Sequence, residues 1–223
     1  MSLVQRKPRP LIRDSASLRD DRLFIIACDD TYAPKQYFEF FRIARVQVHV
    51  VPTVHGTSAA QHVLNRLMNI EHDEDDELWM LLDCDHYTQG SHLRTFLRTL
   101  AEAGRQGVTV ALSNPSFELW LLLHHQEGSS VRSLENAAAV EAALRTQLGQ
   151  YNKTNLKKED FPLELVSKAC ERAKWLDQTV AGGQIPSGNT SRVYLLWRAI
   201  VEKALPSQIP AELQSLIDHS CRP

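Results

Sequence analysis

The feature that most limits how this chain can fold is a regular alternation, over its first half, of short apolar runs with longer stretches of helical spacing. Residues 23–28 (LFIIAC) are an apolar run ending at Asp29 and Asp30, and Pro34 then opens a stretch carrying Tyr37, Phe38, Phe41 and Ile43. Residues 46–51 (VQVHVV) alternate and are β-branched, which suits a strand. Residues 58–70 follow with Ala59, Val63, Leu64, Leu67 and Met68 at helical spacing. Residues 78–83 (LWMLLD) predict a third, buried strand, residues 90–104 a helix facing the core through Leu93, Phe96, Leu97 and Leu100, and residues 107–113 (GVTVALS) a fourth strand. Strands that alternate with helices pair in parallel, and their crossover helices cover both faces. The expected fold is therefore α/β, a parallel sheet of about four strands with helices on both faces.

Beyond residue 115 the pattern changes. Residues 117–125, 134–148, 161–175, 191–205 and 211–217 all have helical spacing, and the polar stretches 153–160 and 182–188 read as surface loops. The organisation expected is a basic arm over residues 1–20, an α/β core over 21–115 and a helical extension over 116–223, packed as a single unit.

Composition narrows the partners. A formal charge of -2 excludes tight, nonspecific nucleic-acid binding by bulk charge, so any such role must rest on a local site. The N-terminal segment has Arg6, Lys7, Arg9 and Arg13 but no apolar stretch of the signal-peptide kind, and no run approaches the roughly 20 apolar residues that span a bilayer. Cys28, Cys84, Cys170 and Cys221 are isolated from one another, without zinc spacing, and read as reduced thiols of a cytoplasmic protein. Trp79, Trp120, Trp175 and Trp197 sit in apolar patterns that suit a core better than base stacking. The acidic run 71–77 reads as a solvated linker.

Chemistry concentrates where strands end. Ligands of open parallel sheets bind beyond the carboxyl ends of the strands. The first strand ends in Asp29-Asp30 and the third in Asp83-Cys84-Asp85. Residues two apart on a strand point to one side, so Asp83 and Asp85 can address one cation if the strand continues to Asp85. Such oxygen donors suit Mg²⁺ or Mn²⁺. Asp30 has a second reading, closing the turn before the following helix. The run Ser113-Asn114-Pro115-Ser116-Phe117-Glu118 leaves a strand and enters a very apolar helix that Ser116 could cap, with Glu118 in its first turn and His124 near its end. A His on so apolar a helix is commonly a hydrogen-bonded packing residue.

The segment 113–125 (SNPSFELWLLLHH) resembles the signature motif of RloB-like proteins, and the resemblance extends from about Leu23 to Ile200. Ile25-Ile26-Ala27-Cys28-Asp29 is similar to the family's first strand, Tyr37-Phe38 to its Tyr-Phe pair, and Leu81-Leu82-Asp83-Cys84-Asp85 to its strand ending in D-x-D. Tyr151-Asn152-Lys153 is similar to its Tyr-x-Lys motif, and residues 187–193 (SGNTSRV) to the segment before its last long helix. The resemblance implies a Toprim-like sheet and a Toprim-type, Mg²⁺- or Mn²⁺-dependent nuclease acting on DNA or RNA in abortive-infection phage defence, beside an ATPase partner of the AAA or ABC type. It implies catalytic roles for Asp29, Asp83, Asp85, Glu118 and Lys153, and metal ligands among Asp29, Asp30, Asp83 and Asp85. Asn114, His124, Lys157 and Asn189, with Arg6, Arg9 and Arg13 of the arm, are expected along the substrate path. Asp29 stands where the family has Glu, and Asp30 where it has Gly, whose missing Cβ lets a phosphate approach the backbone. The alternative is a Toprim-like subunit that is non-catalytic, or active only when its ATPase partner permits.

Overall fold

A computed structural model describes residues 22–53, 57–85, 87, 92–181 and 183–217. Five strands, β1 (Arg22–Cys28), β2 (Val46–Val51), β3 (Glu77–Asp83), β4 (Thr109–Asn114) and β5 (Thr190–Ser191), form one sheet in the order β2-β1-β3-β4-β5. The first four are parallel, as their alternation with helices requires. The fifth is a departure from the expected four: it runs antiparallel to β4 and pairs Ser191 with Ser113 and Thr190 with Asn114. Two residues carry no periodicity from which to foresee it.

Alternate residues of the central strands enter opposite layers. Phe24, Ile26 and Cys28 of β1, with Trp79 and Leu81 of β3, join one apolar cluster, whereas Ile25, Ala27, Leu78, Met80 and Leu82 join the other. Both faces are covered, which is why these strands read as unbroken apolar runs.

α1 (Ala33–Glu39) lies on the first face; α2 (Ala60–Met68) and α3 (His92–Arg105) cover the second. α3 corrects one expectation. Its buried face is Phe96, Thr99, Leu100 and Ala103, while Leu93 and Leu97 are 37% and 40% exposed. Thr99 can face inward because its hydroxyl lies within hydrogen-bonding reach of Gln61 Oε1 (2.9 Å) and Thr95 O (3.0 Å).

The first face also carries the second half of the chain: α4 (Phe117–Leu122), α5 (Gly128–Val131), α6 (Ala137–Leu148), α7 (Leu163–Thr179) and α8 (Val193–Lys203). The segment expected as a helix at 211–217 is a 3-10 turn, Ala211–Leu216. All six residues of α4 are buried, as a helix apolar on every side requires. Its apolar cluster runs from Phe24 through α4, α7 and α8 to Leu216. Tyr37 is fully buried at its centre, with edge-on ring contacts to Phe117, Trp120, Phe161 and Trp197 among others. Each such pair contributes about 0.5–1.5 kcal/mol beyond its area. Trp175 departs from the core expectation: it is 41% exposed, under the Arg132 guanidinium at 5.7 Å.

Candidate metal centre

The strand order reverses between β1 and β3: the chain steps outward to β2, then returns across β1 to begin β3. That reversal opens a crevice at the carboxyl ends of the two strands. Residue pairing places Cys28 opposite Leu81, so Asp29 just beyond β1 meets Asp83 at the end of β3. The Asp83 N–H donates to Asp29 Oδ2 at 3.0 Å. The Tyr87 hydroxyl lies 3.3 Å from the same oxygen and 2.6 Å from Ser58 O, to one of which it donates at a time. Asp29, Asp30, Tyr32, Thr53, Asp83 and Lys153 line a cavity of about 330 Å³ here.

Asp30 divides its two oxygens. Oδ1 accepts the N–H groups of Tyr32 (2.6 Å) and Ala33 (3.1 Å), closing the turn into α1. Oδ2 is buried and pairs with the Lys153 ammonium at 2.5 Å. The turn-closing reading of this residue therefore holds, and its second oxygen faces the chain's own cation.

Glu118, 4% exposed, reaches the same ammonium from α4 at 3.2 Å. Its other partners are Ser116 Oγ (2.7 Å) and the Tyr151 hydroxyl (3.1 Å), both donating. Ser116 thus spends its hydroxyl on the carboxylate instead of capping α4. Lys153 is held in place through its backbone: the Gln36 amide of α1 donates to Lys153 O (3.0 Å) and accepts from Leu156 N–H (2.9 Å). Gln36, Ser116, Tyr32 and Thr53 were missed by sequence reasoning. Gln36 meets Lys153 across 117 positions of chain, and no local pattern signals such a contact.

Charge is distributed unevenly. Burial raises the Asp29 carboxyl to about 7, and the neighbouring Asp30 charge adds to this. Burial and then the charges of Asp29, Glu118 and Asp30 hold the Asp83 carboxyl well above the carboxylate range. Burial also works against ionised Glu118, but Lys153 and Ser116 outweigh it and keep its pKa below the usual value. Burial likewise opposes the Lys153 charge, and Glu118 and Asp30 reverse that, so its pKa lies above the ordinary value.

Asp85 stands apart. β3 ends at Asp83 and the backbone turns, with the Asp85 N–H donating to Pro115 O at 3.2 Å, so the side-by-side placement expected of Asp83 and Asp85 does not occur. Asp85 is absent from the cavity lining, although its charge reaches Asp83.

Among the described residues no three His, Cys, Asp or Glu side chains form a ready-made metal cage. Mg²⁺ does not need one: it commonly takes one or two carboxylates, keeps waters, and completes its shell with phosphate oxygens. Neighbouring carboxylates at Asp29 and Asp83, both raised above their ordinary pKa by burial and neighbouring charge, fit such an ion in charge and donor chemistry.

The expected substrate contacts lie elsewhere. His124 is 1% exposed; its Nδ1 lies 3.0 Å from Trp120 O, which can only accept, so Nδ1 carries the proton and Nε2 accepts from the Tyr37 hydroxyl at 3.0 Å. Burial lowers its pKa to about 3, and a neutral packing residue replaces the expected substrate contact. The Asn114 amide donates to Pro186 O and Gly188 O, and the Asn189 amide to Val131 O and Leu134 O, so both hold loops in place. Lys157 is exposed, its ammonium 3.4 Å from Gln150 Oε1. Arg6, Arg9 and Arg13 lie outside the described residues, as does Cys221; Cys28, Cys84 and Cys170 are buried free thiols. No helix among the described residues is long and apolar enough to cross a membrane.

Fold and site together define an α/β domain whose mostly parallel sheet holds a carboxylate-lined crevice at its switch point. The chain belongs to the RloB-like protein family, whose model matches residues 24–200. No curated protein and no solved structure matches it.

Proposed function

We propose that the protein is a metal-dependent nucleic-acid phosphodiesterase of Toprim-like type. The observation that carries this reading is the meeting of Asp29 and Asp83 across the switch-point crevice, where the Asp83 N–H donates to Asp29 Oδ2 and burial, with the charge of Asp30 on Asp29 and of Asp29 on Asp83, raises both carboxyls above their ordinary pKa. Asp29 and Asp83, with Asp30 once Lys153 withdraws, would hold a Mg²⁺ or Mn²⁺ ion. Such an ion supplies charge neutralisation at a phosphate and acidifies water.

The chain's own residues do the rest. Asp29 offers Oδ1 to that ion, or to a water as its proton acceptor, while Oδ2 accepts the Asp83 N–H. Lys153, whose side chain is 41% exposed, carries a permanent positive charge at the cavity and is available to a phosphate oxygen. Glu118 and Asp30 aim that ammonium, and Gln36 fixes the loop that carries it. The basic arm and Lys157 would contact the nucleic-acid backbone. Work beside an AAA- or ABC-type ATPase in phage defence, in the cytoplasm, belongs to the same proposal and draws on family membership.

One observation favours the conditional form of this activity. Lys153 sits against Asp30 and Glu118, so bringing Asp30 onto the ion, or the ammonium onto a phosphate, takes a shift of that ammonium, a movement that a partner or substrate can drive. The test is cleavage of labelled DNA and RNA with Mg²⁺ or Mn²⁺, with and without the ATPase, by the native chain and by Asp83→Ala. Metal-dependent cleavage lost in the variant is expected. No cleavage under any condition, or cleavage unchanged in Asp83→Ala, sinks the enzymatic reading.

A further inference from the structure

The acids of the cavity are recessed while an aromatic ring stands at its mouth. Asp30 and Asp83 are 8% and 9% exposed and Asp29 is half-buried, whereas Tyr32, lining the same cavity, is 48% exposed, the highest value among the exposed large hydrophobic side chains of the described residues. The ring is free but its backbone is not. The Tyr32 N–H donates to Asp30 Oδ1, and its carbonyl accepts from the Gln36 backbone N–H (3.3 Å) and side-chain amide (3.1 Å). The ring is thereby anchored through the same two residues, Asp30 and Gln36, that face or hold Lys153. The side chain makes no hydrogen bond or ring contact among the described residues.

A duplex can present a phosphate to a cavity of about 330 Å³, but its bases stay paired and stacked inward, so an exposed ring beside the cavity finds no free base face on it. A single strand can turn one base outward while its phosphodiester drops toward the acids. An exposed aromatic beside a cation is the element that accepts such a base, and it does so without sequence preference. We propose that the substrate is single-stranded nucleic acid, or a locally unpaired strand, and that Tyr32 stacks the base adjoining the phosphate that Lys153 engages. This rests on the phosphodiesterase reading above.

The experiment is fluorescence anisotropy with Ca²⁺ in place of Mg²⁺, using labelled oligo-dT, oligo-U and a duplex of equal length, on the native chain and on Tyr32→Ala, Tyr32→Phe and Tyr32→Trp. Single strands should bind at least about tenfold more tightly than the duplex. Tyr32→Ala should lose about 5- to 150-fold of single-strand affinity, the range that one stacked base implies, while Tyr32→Phe and Tyr32→Trp retain it. Equal affinity for duplex and single strand, or single-strand binding unchanged in Tyr32→Ala, overturns the inference; so does an equal loss in Tyr32→Phe, which would place the role in the hydroxyl. If Asp83-dependent cleavage persists beside any of these results, the phosphodiesterase reading stands and only the role of Tyr32 falls. If no oligonucleotide binds or is cut, both fall.

Discussion

Asp30 and Glu118 share the Lys153 ammonium, whereas Asp29 and Asp83, on the same cavity, make no ion pair among the described residues. In the first pair the built-in cation lets Glu118 hold its pKa below the usual value in spite of burial. In the second, burial without a cation raises both carboxyls above the usual range. Two pairs of the same chemical type thus divide the work: one fixes the protein's own cation, and the other is left short of positive charge.

Breaking the unpaired side should have the largest effect. Asp83→Ala is expected to lower metal-dependent cleavage by at least about 100-fold, measured as initial rate on a labelled strand. Its stability should move the other way: in EDTA the variant should melt no lower than the native chain, because a crowded carboxyl has gone. Breaking the paired side comes next. Lys153→Met leaves Asp30 and Glu118 uncompensated, and urea unfolding should show a loss of about 1–2 kcal/mol, less than a fully buried pair would give because Lys153 is 41% exposed.

A third prediction sharpens the contrast through pH. Asp29 has a carboxyl near 7 in the folded chain and near 4 when unfolded, so the folded state holds its proton more tightly. The stability this contributes is full below about pH 4 and is lost as pH rises through about 7. Asp29→Asn removes that loss. The variant should gain about 1 kcal/mol on the native chain between pH 5 and 8 without metal, allowing for partial exposure of the site, and the gain should shrink with Mn²⁺ present. A flat difference between the two melting curves would refute it. The smallest effect is expected at Tyr151→Phe, which takes one of several donors from Glu118 and should cost about 0.5 kcal/mol by chemical denaturation.

How much of this was legible in the sequence follows from where the information lies. Strands β1 to β4 and the acids at their ends are local patterns, a period or an apolar run closed by Asp, and they could be read directly. The face of α3 was misjudged at Leu93 and Leu97 because apolar identity was followed where Thr99 and Ala103 fit the layer better. Placing Asp85 beside Asp83 extends a strand that stops at Asp83, two residues short of it. The Lys153 ion pairs, the Gln36 clamp and the Tyr37–His124 contact join residues 35 to 123 positions apart. Those are products of packing, and a single sequence carries no trace of them beyond the presence of the residues.

The short strand β5 has a consequence for how the molecule comes into being. β4 is the edge of the parallel sheet until Thr190 and Ser191 are added beside it, with Ser191 Oγ 2.9 Å from Ser113 Oγ. During synthesis the ribosome delivers β4 long before β5, with a delay on the order of ten seconds at about 5–20 residues per second. Through that interval the half-made protein shows an open strand edge and an apolar face that α4 and α7 cover only in part until α8, which follows β5, settles on it. A message cut short before β5 should therefore yield an aggregating or chaperone-held product, and not a smaller working domain.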